Sequence, residues 1–257
     1  MHLRILGSGT STGVPIPGCE CAVCLSPEPK NKRTRTSAAI CLDDGSAILI
    51  DASPDLRQQC LSHQIKRVSA VLFTHAHADH ILGIDDLRAF NFIQRTIIPC
   101  YGNAATLAEI SRFFSYIFNP DPLYEGGALA RLKLHEIAPF GEVNLGTKIQ
   151  SFELMHGRTN VTGFRFGSVA YATDCNCIPE RTNELLRGVD TLVIDGLRYE
   201  PHRTHFTIPE AIDAAAKIGV RRTILIHLTH SIDHEAVQAT LPVGVELAYD
   251  GMRIDIE

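Results

Sequence analysis

The apolar run at residues 68–73 ends in Thr74-His75-Ala76-His77-Ala78-Asp79-His80, and no other stretch of the chain restricts its fold as tightly. A short continuous apolar run of this kind reads as a buried strand. In its extended continuation, residues two apart point to one side, so His75 and His77 can grip one ion together. Past a turn, Asp79 and His80 face a second position nearby. Imidazole and carboxylate donors suit Zn, Mn or Fe. Four such groups packed at one strand end argue against ordinary hydrogen-bonded core histidines. They still leave a two-ion site incomplete, so other stretches must contribute.

The rest of the chain offers candidates at the ends of other expected strands. Strands are expected at 3–6, 38–42, 47–50, 132–137, 148–154, 161–166, 169–172, 191–195 and 223–227, with further short strands at the end. Helices are expected from Ser53-Pro54, an N-cap with a first-turn proline, to residue 61, and at 80–92, 104–118, 180–186, 209–218 and 234–241. Asn119-Pro120-Asp121-Pro122 stops the helix at 104–118, and residues 124–130 form a glycine-containing loop. Asp43-Asp44-Gly45-Ser46 reads as a hairpin turn. Strands gather first in each half with helices after them, which allows two sheets with helices outside. His156 follows one expected strand, Asp174 another, and His227 ends a third; α/β sheets collect ligands at such ends. Taken singly, each is ambiguous, since a His or Asp at a strand end is more often a turn or cap residue.

A second cluster, Gly18-Cys19-Glu20-Cys21-Ala22-Val23-Cys24, is either a group of reactive or redox-sensitive thiols or part of a metal cage that lacks a fourth ligand. No signal peptide is visible in the opening residues, and no apolar run approaches a membrane span. The expected location is therefore the cytoplasm, where eight cysteines serve as thiols and metal ligands rather than disulfides. Cys175 and Cys177 are given no metal role. The net charge of −5 argues against non-specific nucleic-acid binding. The basic run Lys30 to Arg35 reads as a solvated loop, with contact to an anionic substrate as the alternative. Gly9-Thr10-Ser11-Thr12-Gly13 fits G-x-S-x-G, but Val14-Pro15-Ile16-Pro17 opposes the helix a nucleophile elbow requires; it is read as a tight loop.

Thr74 to His80, followed in order by His156, Asp174 and His227, resembles the metallo-β-lactamase superfamily of binuclear metallohydrolases. The likeness extends over most of the chain. It implies an α/β fold, a four-layer αββα sandwich, and a single hydrolase domain over residues 1–257. It also implies that His75, His77 and His156 hold one ion, that Asp79, His80 and His227 hold the other, and that Asp174 bridges them. Asp51, in Leu49-Ile50-Asp51-Ala52-Ser53-Pro54, matches an acidic residue that supports the site from behind. Within the superfamily the sequence is most similar to PhnP-type phosphodiesterases of phosphonate metabolism. These pair a cysteine cluster of this spacing with a histidine three residues beyond the last active-site ligand, here Cys19, Cys21, Cys24 and His230, as a structural zinc site. Three sulfurs short of a ligand also favour giving His230 to them and His227 to the active site.

The implied cofactors are two divalent ions, Mn or Zn, and one structural Zn. Two such ions activate a water for in-line attack, orient the phosphoryl oxygens and stabilise the leaving oxygen. His205, in Pro201-His202-Arg203-Thr204-His205-Phe206, matches the catalytic histidine of these enzymes and would serve as general acid or electrostatic clamp, with His202 as the competing candidate. Asp79 counts as catalytic as well as metal-binding. The expected reaction is hydrolysis of a small, cyclic phosphate diester, with nucleic acid limited to mono- or dinucleotides, no membrane partner, and a homodimer allowed. A tRNA 3′-processing nuclease shares the ligands but usually carries a substrate-gripping arm, and no basic, glycine-rich insertion of that kind is visible. A glyoxalase II-like thioesterase usually adds a helical C-terminal region, whereas strands here run to the end. PqqB-like proteins, with a binding or carrier role, resemble the Asp51 segment and the cysteines, but there the ligand set is degraded and here each position is filled.

Overall fold

The structure, a computed structural model, describes every residue except 122, 124 and 257; the expected helix stop at Pro122 and the start of the loop at Tyr124 lie outside the described residues. Two seven-stranded sheets form its centre. The first contains β1 (His2–Gly7), β2 (Ser37–Cys41), β3 (Ala47–Ile50), β4 (Val68–Leu72), β5 (Ile98–Gly102) and β6 (Leu132–Glu136). The second contains β7 (Glu142–Asn144), β8 (Lys148–His156), β9 (Thr159–Phe166), β10 (Val169–Ala172), β11 (Thr191–Asp195), β12 (Arg222–Ile226) and β13 (Val245–Leu247). The chain then returns to pair β14 (Arg253–Asp255) with β1. β3 to β6 run parallel, as do β10 to β13.

Side-chain alternation explains the layering. Ile48 and Ile50 of β3 point between the sheets, where they join Ile5, Ile40 and Leu72 against Phe164, Phe166, Tyr171 and Ile224. Leu49 points the other way, with Val71 and Phe73, onto helices Leu56–Ser62, Arg88–Gln94 and Ala104–Phe113. Leu192, Ile194 and Leu225 of the second sheet likewise cover helices Glu180–Leu186 and Ile208–Ile218. Both faces of each sheet are buried, which is why these strands read as unbroken apolar runs. The fold is the expected αββα sandwich.

Several local expectations change. The helix at 80–92 is broken into Ala78–Ile81, a 3₁₀ turn at Ile84–Leu87, and Arg88–Gln94. Gly83 lies at the break, where its N–H donates to the Ala52 carbonyl at 2.9 Å and a Cβ would fall 2.0 Å from the Ser53 carbonyl oxygen. The helix at 104–118 divides at Phe114. The helix after Ser53-Pro54 starts only at Leu56, although the Ser53 hydroxyl accepts from the Asp55 N–H at 3.2 Å while donating to Gln59. β5 and β7 have no counterpart in the sequence reading; Pro99 inside β5 hides its pattern. The basic run is not simply solvated. Arg33 is 2 % exposed, donating to the carbonyls of Thr229 and Ile232, and Arg35 pairs with Asp55.

Candidate metal centre

The loops that leave β3, β4, β8, β10, β11 and β12 meet at one edge of the sandwich. Asp51, Asp174 and His227, each directly following or closely following a buried strand, have φ of 63°, 54° and 64°. Left-handed backbone is uncommon outside glycine and is held only where the surroundings enforce it. Three such residues share one cluster, so the strand ends turn sharply enough to aim their side chains at a common point.

Two groups of ligand atoms result. His75, His77, His156 and Asp174 form one, and Asp79, His80, Asp174 and His227 the other, with atoms in each group within 4.8 Å of one another. Asp174 belongs to both: Oδ2 lies 3.8 Å from His75 Nε2, while Oδ1 lies 3.3 Å from His80 Nε2 and 3.4 Å from His227 Nδ1. His80 Nε2 is also 3.4 Å from Asp79 Oδ2. Ligand bonds of 2.0–2.1 Å at tetrahedral angles set donor atoms about 3.3–3.4 Å apart, which matches the spacing around His80. Nε2 of His75 and of His80 is buried with no hydrogen-bond partner among the described residues. Buried polar atoms are normally satisfied, so the donor set fits divalent ions.

The neighbours of the cluster fix its orientation. Fully buried Asp51 accepts from the Thr74 N–H and hydroxyl, both at 2.8 Å, and from His80 Nδ1 at 2.7 Å, turning the other nitrogen of His80 inward. His156 Nδ1 donates to the Thr204 carbonyl at 2.9 Å. His227 lies between the hydroxyls of Thr36, 2.9 Å from Nδ1, and Thr10, 3.3 Å from Nε2. Burial pushes the pKa of His75 well below the ordinary histidine range and that of His227 down to about 4, while the carboxyls of Asp79 and Asp174, raised by burial, are held low because nearby histidine charges outweigh it. Neutral imidazoles and ionised carboxylates are the forms that bind metal. His80 differs: burial lowers it, but Asp174 and Asp51 outweigh that and raise it well above the ordinary range. A field that favours an imidazolium there also favours a divalent cation beside it.

His205 joins the group and His202 does not. The His205 ring stacks on His227 at 4.9 Å and meets His156 edge-on at 4.7 Å, whereas His202 is exposed and, within the cluster, touches only the His205 ring, at 5.0 Å. Behind His205, Asp195 accepts from Nδ1 at 2.6 Å and from the Cys175 N–H at 3.0 Å. Burial drives Asp195 up to about 7, while its hydrogen bond raises His205 against the lowering effect of burial. The sequence reading missed Asp195, although an aspartate closing the apolar run of β11 is a visible signal. It also missed Thr10 and Thr36; Thr10 lies in the glycine loop read only as a turn.

The cysteine cluster finds its fourth group across the molecule. His230 Nδ1 lies 3.3, 3.5 and 3.7 Å from the sulfurs of Cys19, Cys21 and Cys24. Zinc bonds of 2.3 Å to sulfur and 2.0–2.1 Å to nitrogen require a tetrahedral edge of about 3.6 Å, so these residues fit a zinc ion. Cys24 N–H and Ile16 N–H point at sulfurs, each at 3.4 Å, and the former hydrogen bond first of all lowers the Cys21 thiol to about 6. All eight cysteines are free thiols. Cys175 is buried and Cys177 exposed, neither within a ligand group among the described residues.

A two-sheet sandwich with paired ligand groups at its edge is the architecture of a metallohydrolase family, and comparison with known proteins agrees. The model of the beta-lactamase superfamily domain matches residues 46–228. A protein of Porphyromonas gingivalis described as an octanoyltransferase is 40 % identical over the whole chain, which spans about half (52 %) of that relative's length. A crystal structure of a diphosphatase from the PhnP family superposes with a TM-score of 0.91 at 39 % identity, covering 100 % of this chain and 98 % of that one. Zn²⁺-bound PqqB from Methylobacterium extorquens shares the fold at a TM-score of 0.81 and 23 % identity, with both chains covered in full. The chain belongs to the metallo-β-lactamase superfamily, and within it to the PhnP-like proteins. No helix among the described residues is long and apolar enough to cross a membrane.

Proposed function

We propose that the protein is a cytoplasmic phosphodiesterase that hydrolyses a small, cyclic phosphate diester, with residues 1–257 acting as one hydrolase domain. The observation that carries this reading is the pair of ligand groups sharing Asp174, with the Asp195-held His205 stacked against one of them. His75, His77 and His156 would hold one divalent ion, Asp79, His80 and His227 the other, both Mn or Zn, and Asp174 would serve both. When bound, such a pair supplies an activated water at neutral pH and neutralises the phosphoryl oxygens. Asp51 keeps His80 in its binding tautomer. Asp195 accepts a hydrogen bond from His205 Nδ1–H and so favours the charged ring, whose Nε2–H would give its proton to the departing alkoxide and return the ring to the neutral form with Nδ1–H kept. A diphosphatase relative supports phosphoryl chemistry. Cys19, Cys21, Cys24 and His230 would hold a structural zinc.

The test is metal analysis with a substrate screen. Gently purified protein should carry about three ions per chain and cleave bis(p-nitrophenyl) phosphate after Mn²⁺ or Zn²⁺ is restored. His77→Ala should abolish that turnover while circular dichroism stays unchanged. Protein holding three ions but inert toward linear and cyclic phosphodiesters would end the phosphodiesterase reading.

A further inference from the structure

The helical layer outside the first sheet holds a groove of about 590 Å³ that shares no residue with the metal centre or the cysteine cluster. Helices Leu56–Ser62 and Arg88–Gln94 form its two sides. Leu56, Cys60 and Phe90 make the floor and belong to the buried core. Leu61, Phe92 and Ile93 make the flanks, at 60, 57 and 75 % exposure. Helix Arg88–Gln94 is therefore apolar on two sides, with Phe90 packed inward and Phe92 and Ile93 turned to the surface. A helix apolar on opposite faces is ordinarily buried, and contiguous exposed apolar surface marks a site of contact.

The charged groups around the groove are Arg57, Lys66, Arg88 and Asp86. Arg88 stands 3.3 Å from Asp85. The side chains of Arg57 and Lys66 have no ion pair or hydrogen bond among the described residues. In a chain of net charge −5, a surplus of cations beside an apolar groove selects the occupant. A second copy would set the same cations against each other across a two-fold axis. A small molecule is enclosed by its site, whereas these flanks stand open. A lipid surface takes a projecting apolar edge rather than a recessed floor. A helix with an apolar ridge and carboxylates beside it matches both the groove and the cations.

We propose that this groove docks a partner protein through an acidic amphipathic helix. The apolar ridge of that helix packs on Leu61, Phe92 and Ile93, and its carboxylates lie beside Arg57 and Lys66.

The probe is a fluorescein-labelled peptide of about 15 residues, with leucines at helical spacing on one face and glutamates flanking them. Its controls are the same residues in scrambled order, and the same helix with lysine for every glutamate. Fluorescence anisotropy with the metal-loaded full chain should show the tightest binding to the acidic helix. Ile93→Ser, at an exposed position, should weaken that binding roughly tenfold or more. Arg57→Glu with Lys66→Glu should weaken it roughly two- to thirtyfold and strengthen binding of the lysine helix, a reversal that loss of fold does not produce. No preference for the acidic helix, or a preference that either variant leaves unchanged, overturns the proposal. A dimer in sedimentation velocity that Ile93→Ser splits also overturns it, by giving the groove to a second copy. Flotation with phosphatidylglycerol vesicles that Ile93→Ser abolishes overturns it in favour of a lipid surface.

Discussion

His205 and Asp195 are the residues whose removal separates chemistry from scaffolding. If His205 protonates the leaving group, His205→Ala should slow esters with alkoxide leaving groups by about 10²–10⁴, and nitrophenolate esters, which need no proton, far less. Equal losses on both would remove it as the acid. Asp195→Asn keeps the shape but withdraws the 2.6 Å carboxylate contact. It should show the same leaving-group pattern with a loss of about 10–100-fold, the usual effect of an orienting partner. His75, His77 and His80 were legible as candidate ligands because they crowd the end of one apolar run, whereas His156 and His227 stood out only through the resemblance. The Asp195–His205 pair was not, because ten positions separate its members and only the hydrogen bonds of residues 197–208 bring them together.

Among the elements, the segment after β4 shows how the site overrides helix periodicity. Ile81, Ile84, Leu87 and Phe90 are all buried, as a single helix would place them, yet the helix breaks so that Gly83 can touch the Ala52–Ser53 backbone beside Asp51. Gly83→Ala should cost about 1–3 kcal/mol or more, since the obstructing atom is backbone, and should lower metal occupancy. Gly127→Ala, where an added Cβ meets nothing within 4 Å, is the control. Equal melting temperatures for the two variants would show that the close approach is unimportant. Strands with long apolar runs were legible for the reason that they are buried on both faces. β7, with three half-exposed or exposed residues, carries no such signal.

At the scale of the whole molecule, the cysteine cluster is a clasp between the ends of the chain. Residues 19–24 meet His230, and buried Arg33 grips the carbonyls of Thr229 and Ile232 on either side of it. The loop so held also carries His227. Cys21→Ser should therefore lower the metal count from about three to about two per chain and reduce the melting temperature, while turnover well below that temperature falls much less. An unchanged melting temperature would remove the clasp. Chelation of the native protein should show two steps, with loss of activity preceding loss of fold, because a closed four-ligand site releases its ion less readily than an open one.

The sequence by itself determined the apolar strands, the donor-rich turn after β4, the ligand positions at later strand ends, and the resemblance that joined them. Those are local facts, set by side-chain period and residue type. The tertiary structure alone decided that Asp195 backs His205, that Arg33 is buried, and that Gly83 interrupts a helix. Each depends on contacts between segments remote in the chain, and the energy of such a contact is not written in either segment alone.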